Sequence, residues 1–251
     1  MSSPRGGRPP ARLVDLHRDF DRGFFGRLYA TVLVPSFPPD ELESEAVLGQ
    51  ALAGAGEGPE TMGLAAVDAV GEPAGTIIST WYREPGVLLL GYLAVRADDR
   101  GQGLGSWLMH EALDRWSSVP GCALVLGEVE DPRHFAGPAA ERRVEFHARA
   151  GAEVLAAPYF QPRLRPEAQR VHHLLLTVFW SAPQARRNGG IDGGRLRHFL
   201  AQYVAVTEGT AALESDPAIG WLLGFYGTDV VPLVPLARFG DVPHPEPPTA
   251  G

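Results

Sequence analysis

The chain has 251 residues, 45% of them hydrophobic and 21% charged, and a formal net charge of −8. That is enough apolar material for one large domain or two small ones, and the acidic balance argues against nucleic acid held on a broad basic surface while suiting a cationic small substrate. The single cysteine, Cys122, leaves no intramolecular disulfide, which points to the cytoplasm, and no apolar run approaches the ~20 residues of a membrane span, so no membrane partner is expected.

Residues 1–10, rich in Pro, Gly and Arg, read as a disordered leader rather than a signal segment. Ala11 to Leu16 alternates as a short strand would, and Phe20, Phe24 and Leu28 then mark one face of a helix. Pro35-Ser36-Phe37-Pro38-Pro39 breaks the chain, and Asp40 to Leu52 reads as a second helix with Glu41, Glu43 and Glu45 near its positive end. Met62 to Val70 and Ala74 to Tyr82 form two strands around Gly71-Glu72-Pro73, and Pro85-Gly86 turns the chain into the next element.

Val87 to Val95 is nearly all apolar, the signature of a strand covered on both faces. It runs into Arg100-Gly101-Gln102-Gly103-Leu104-Gly105, and from Leu104 the residues Leu104, Trp107, Leu108 and Ala112, with Met109, Leu113 and Trp116 beside them, give the apolar face of a helix. Glycines between a strand and a helix leave N–H groups open to an anion at the positive end of the helix dipole. Ser106 and Trp107 stand where the Walker loop needs Lys followed by Ser or Thr, and Gly101, Gly103 and Gly105 alternate strictly, so the dinucleotide fingerprint is not met either.

Cys122 to Glu130 follows as a strand, placed parallel and close to Val87–Arg96 by the right-handed crossover between them. Arg142 to Ala150 is a helix stopped at Gly151, and Glu153 to Tyr159 and His172 to Phe179 read as the last two strands of this set. Ala182 to Gly194 is polar and glycine-rich, a plausible boundary. Beyond it Leu196, Phe199, Leu200, Tyr203 and Val204 form a helical stripe that requires a surface to cover, and Ile219 to Phe225 is strongly apolar. The expected organisation is therefore a leader over 1–10, a main domain over 11–181, a helical extension over 182–241 and a loose, proline-rich tail over 242–251.

R-x-x-G-x-G after a strand ending in Leu93-Ala94-Val95, matched by Arg100, Gly103 and Gly105, resembles the acetyl-CoA loop of the GNAT N-acetyltransferase superfamily. The order of elements from Ala11 to Phe179 is similar to that family's as well. The resemblance implies an α/β (α+β) fold: a mixed, mostly antiparallel sheet with a central parallel strand pair, flanked by helices, here with C-terminal helices added. It implies acetyl-CoA as co-substrate, bound by Leu93, Ala94 and Val95 through their backbone and by Arg100, Gly101, Gln102, Gly103, Leu104, Gly105 and Ser106. It also makes the Ser36-Phe37-Pro38 segment a lining of the acceptor side, with an ordinary proline-punctuated loop as the alternative.

Acetyl transfer to an amine needs an amine without its proton, and free alkyl amines have pKa ~10.4, so a base is useful. Glu128 and Glu130 share a face of an otherwise apolar strand. Gly127-Glu128-Val129-Glu130 resembles the family segment that supplies a glutamate base, which maps that role onto Glu128; a solvated glutamate paired with Arg142 or Arg143 is the alternative. His147 stands where many members carry a tyrosine acid, and either donates a proton or simply packs. Glu130 and Tyr159 are further candidates for the acceptor pocket, Tyr159 alternatively for core packing. His172-His173 invites a metal reading, but neighbours on a strand point to opposite faces and no Cys or Asp cluster accompanies them, so no metal is expected. Two functions follow: an acetyl-CoA-dependent N-acetyltransferase acting on a small-molecule or peptide amine, or a non-catalytic acyl-CoA sensor or partner-docking protein. A homodimer is compatible with either.

Overall fold

The computed structural model describes residues 12–55, 58–135, 137–245 and 247–248, so the expected leader lies outside the described residues. The chain divides into two units: residues up to Trp81 together with Leu89–Ser118, and Tyr82–Leu88 together with Val119 onward.

In the first unit, β1 (Arg12–Asp15), β2 (Glu60–Val67), β3 (Pro73–Tyr82) and β4 (Val87–Val95) lie in that order. The β2–β3 hairpin pairs Leu64 with Ile77, and its turn closes where Asp68 Oδ1 accepts from the N–H groups of Val70 and Glu72 while Gly71 takes φ +90°. Helix α1 (Arg22–Leu28) starts at Asp21, whose side chain accepts from Phe24 N–H at 2.6 Å, and widens into a π turn over Tyr29–Leu33. The expected helix from Asp40 is shorter than its apolar pattern. Pro39–Glu41 forms a 3₁₀ turn, Leu42 is extended, and α2 (Glu45–Leu52) begins only after Ser44, whose hydroxyl accepts from Val47 N–H. Phe25, Leu28, Val32, Leu48 and Leu52 pack on Ile78, Tyr92 and Ala94 to form this unit's core. Helix α3 (Leu104–Trp116) completes it, burying Leu104, Leu108, Met109, Ala112 and Trp116.

In the second unit the strand order is β5 (Leu124–Glu130), β7 (Leu174–Ser181), β6 (Glu153–Leu155), β10 (Val230–Pro235), β9 (Gly190–Asp192) and β8 (Arg186–Arg187), all antiparallel. The opening residues of β4 belong here. The Gly86 carbonyl accepts from Ala123 N–H (2.8 Å) and Leu124 N–H (3.1 Å), so β4 and β5 set out side by side in the same direction. This is the mixed, mostly antiparallel α+β arrangement with one parallel pair that the resemblance implies. Helix α4 (Pro138–Arg149) begins four residues before the expected Arg142, with Pro138 at its first turn.

Beyond Ser181 the sequence suggests helices alone. The structure has α5 (Gly193–Thr207), α6 (Thr210–Ser215) and α7 (Pro217–Phe225), but also β8, β9 and β10, which extend the sheet past β6. The stripe Leu196, Phe199, Leu200, Tyr203 and Val204 is buried, with the Phe199 and Tyr203 rings 5.1 and 6.0 Å from that of Tyr82. Gly193 makes the tight entry to α5 possible, since a Cβ there would stand 1.8 Å from the Thr228 carbonyl oxygen. The first residues of the expected loose tail are held: Val242 is buried, and His244 Nε2 lies 2.7 Å from Asp131 Oδ2.

Candidate functional site

The glycine loop of the first unit is built from its base upward. Arg96 binds Asp99 through Nε (2.6 Å) and Asp68 through Nη2 (3.0 Å), which fixes the 3₁₀ turn Ala97–Asp99 at the end of β4. Arg100 turns back: its Nε donates to the Val95 carbonyl (2.9 Å) and its Nη2 to Ser36 Oγ (3.3 Å), tying the loop to the segment that carries Phe37. Gln102 Nε2 donates to the Asp98 carbonyl. Gly101 and Gly103 take φ of +76° and +82°, and a Cβ on either would meet nothing within 4 Å. Gly103 is the N-cap of α3 and offers no side chain to the first N–H groups, which belong to Leu104, Gly105 and Ser106. Open space over uncapped donors at the positive end of a 13-residue helix has the chemistry to accept an anion.

Beside the loop, Leu93 and Val95 are half-buried on β4 while the Ala94 side chain is buried. Gly91, in the middle of the same strand, is exposed, and nothing lies within 4 Å of where its Cβ would stand. A glycine inside an apolar strand signals close approach of another backbone or a ligand. Tyr92 is buried, accepts from Glu43 N–H (3.0 Å) and takes the Phe37 ring edge-on at 5.2 Å.

The second unit holds the carboxylates. Glu128 on β5 is half-buried; the Tyr159 hydroxyl donates to its Oε1, and Gln161 Nε2 donates to its Oε2 at 2.8 Å. Tyr159 is not on a strand as expected, because β6 stops at Leu155 and the chain through Pro158 turns the phenol inward, where it is 3% exposed. Burial first, and the nearby Glu128 carboxylate second, push the Tyr159 phenol far above its ordinary range, and Tyr82 is raised by the same two causes. Tyr159 therefore holds Glu128 as a hydrogen-bond donor and keeps its own proton.

Gln161 is fixed by two backbone bonds with Val171, and its Oε1 is buried with no hydrogen-bond partner among the described residues. The segment that follows is clipped to the end of α5. Glu208, fully buried, accepts from Arg163 Nη2 (2.8 Å) and Arg170 Nη2 (2.7 Å), and Arg170 also reaches Asp216 at 2.6 Å. Burial opposes the charge of Glu208, but the two guanidiniums overcome it and hold the carboxyl below its usual range.

Glu130 lies on the same face as Glu128 and is ion-paired with Arg143 of α4. His147 is 9% exposed, packed between the Phe146 and Phe179 rings, with Nδ1 lacking a partner among the described residues. Burial, helped by the charge of Arg143, lowers its pKa to about 4. Burial thus favours the neutral imidazole, a state that suits packing at neutral pH.

The acetyltransferase (GNAT) family matches the chain over residues 20–146. The chain belongs to the GNAT acetyltransferase family. Among solved structures it is similar to a GNAT-family acetyltransferase from Bacteroides thetaiotaomicron, with 20% identity, TM-score 0.59, and coverage of 79% of this chain and 98% of that one. It is also similar to a GNAT-family acetyltransferase from Desulfovibrio desulfuricans (19% identity, TM-score 0.46, 66% and 96% covered). The ribosomal-protein-S18-alanine N-acetyltransferase from Escherichia coli is a third (16%, 0.45, 70% and 100%). No match was found among curated proteins.

Within this GNAT protein, sequence reasoning missed Gln161 and Gly91. Gln161 had a signal: it lies two residues after Tyr159, the spacing that turns extended residues to one side. Gly91 had one too, as the lone glycine inside an apolar strand. Tyr82 had none, since its neighbourhood depends on α5.

Proposed function

We propose that this GNAT protein transfers an acetyl group from acetyl-CoA to a primary amine of a small molecule or peptide, with Glu128 as the base. The observation that carries the reading is the Glu128 carboxylate, half-buried on β5 and held by two buried side chains, Tyr159 and Gln161. A carboxylate oriented by two donors is a fixed proton acceptor of the kind an amine acetyltransfer needs.

Acetyl-CoA supplies the activated acyl thioester. Gly101, Gly103 and the N–H groups of Leu104, Gly105 and Ser106 hold its pyrophosphate, and the open Gly91 side of β4 with the backbone of Leu93–Val95 receives the pantetheine arm; the glycine cradle, which a Cβ would fill, is what supports this fit. Arg100 and Gln102 shape the loop through the bonds they make within the unit. Phe37 and Tyr92 line the acceptor side in this reading, Glu130 stays with Arg143, and Tyr159 and Gln161 position the base. Residues 11–181 form the transferase, and 182–241 form an extension that secures the Gln161–Arg170 segment through Glu208. No described helix is long and apolar enough to cross a membrane, and we place the reaction in the cytoplasm, with a homodimer compatible with it.

Release of free CoA from acetyl-CoA, measured against a panel of small amines, N-terminal peptides and aminoglycosides, tests the proposal. Saturable, amine-dependent release is expected. Tight acetyl-CoA binding with no release against any amine would instead support the sensor.

A further inference from the structure

Three histidines far apart in sequence meet in the second unit. His134 follows β5 in a turn closed by its own N–H to the Asp131 carbonyl (2.9 Å). His173 precedes β7, takes φ +60°, which non-glycine residues seldom adopt, and its carbonyl accepts from Asp131 N–H at 3.2 Å. His244 is brought in from beyond β10 because Arg133 donates to the carbonyls of Gly240 (3.0 Å) and Val242 (3.1 Å). One ring nitrogen of each histidine lies within 4.8 Å of those of the other two.

We propose that His134, His173 and His244 bind a divalent transition-metal ion, Zn²⁺ before others, which ties the C-terminal segment to the β5–α4 turn and the start of β7. Three imidazoles are a donor set that suits Zn²⁺, Ni²⁺ or Cu²⁺ and not Mg²⁺ or Ca²⁺. Asp131, fully buried, places a carboxylate oxygen 2.7 Å from His244 Nε2, beside the ring as carboxylates stand behind many metal-ligating histidines. Its negative charge also favours a cation nearby, although Arg133 shares it. The His134 and His173 rings stack at 4.0 Å and 7°, so their lone pairs lie in parallel planes. One ring must turn to meet an ion, and His134, which is exposed, is able to do so about its broad χ2. The unusual backbone at His173 holds its ring at the meeting point, as strain at ligand clamps often does. The fourth position would be taken by water, on the exposed side of His134.

The full chain, treated with chelator and freed of it, is titrated with ZnCl₂ by calorimetry and melted with and without Zn²⁺; Co²⁺ absorbance reports coordination geometry. One Zn²⁺ per chain, a rise in Tm that grows with Zn²⁺ concentration, and a tetrahedral Co²⁺ spectrum are expected. His244→Asn, His134→Asn and His173→Asn should each weaken binding by ~tenfold or more, the last without disturbing the backbone because Asn tolerates positive φ. His110→Asn, on an exposed face of α3, should change nothing. Circular dichroism at equal protein concentration shows that the variants fold. No uptake of Zn²⁺ at micromolar concentration by the parent, or equal uptake by the triple Asn variant, overturns the proposal.

Discussion

Replacing His147 by leucine separates packing from catalysis and has a magnitude that follows from the structure. The imidazole is held near pKa 4 against an ordinary value of 6.5, by burial and by Arg143. A histidine whose folded pKa lies below its unfolded one is protonated first in the unfolded chain, so its contribution is full above pH ~6.5 and is lost as the pH falls toward 4. At ~1.4 kcal/mol per pH unit the full loss is about 3 kcal/mol, and about 2 kcal/mol of it has gone by pH 5. That is a large part of the ~5–15 kcal/mol typical of a folded domain. Urea unfolding of parent and His147→Leu at pH 7 and pH 5 isolates this contribution, because every other titrating group is common to both. The parent should lose about 2 kcal/mol more than the variant between the two pH values. At pH 7 the variant should lose little, since the Nδ1 it removes has no partner among the described residues. The amine-dependent kcat should stay near the parent's. Parallel losses with pH, or a kcat reduced a hundredfold in a stable variant, would refute the reasoning.

Gly103→Asp places a Cβ and a carboxylate at a φ of +82° in the open cradle, and should weaken acetyl-CoA by ~tenfold or more in calorimetry while lowering the melting temperature only modestly, by the strain of a side chain at that φ. Tyr159→Phe removes the donor on Glu128 Oε1 and should lower kcat for the amine with little change in acetyl-CoA affinity, measured by steady-state kinetics and calorimetry. Glu208→Ala takes the buried carboxylate from Arg163, which is partly exposed, and Arg170, which keeps Asp216, and should cost ~1–3 kcal/mol in urea unfolding. A chain ending at Ser181 loses β10 from the edge of β6 and the cover over Tyr82, and should precipitate or unfold at lower urea than the full chain.

The parts of the fold legible in the sequence are those whose causes are local. Val87–Val95 matches β4 residue for residue, and the glycine spacing marked the loop because only glycine enters positive φ cheaply. Helix α3 shows its apolar face within one 13-residue window. The remainder depends on chain segments meeting from a distance. Strand β10 contains Pro232 and Pro235, which argue against a strand with partners on both sides; the arrangement works because the Pro232 carbonyl can still accept, here from Ala156 N–H. Strands β8 and β9 are too short to carry a periodicity. Tyr159 reads as a strand residue until Glu208, at the C-terminal cap of α5, is seen to anchor Arg163 and Arg170 and so shape the segment after it. The histidine cluster follows the same logic. His173 beside His172 gives no metal signal, and its companions come from either end of the unit.

The central claim is that Glu128 takes the proton of the acceptor amine, and Glu128→Gln tests it most directly because it keeps the size and removes the basicity. With an amine that supports turnover, kcat/KM for that amine should fall by ~10²- to 10⁴-fold while the acetyl-CoA Kd stays within about twofold. Glu130→Gln is the control, sharing the face but engaged by Arg143, and should cost far less. Turnover by Glu128→Gln equal to the parent's, or a loss in Glu130→Gln as large as that in Glu128→Gln, would contradict the assignment.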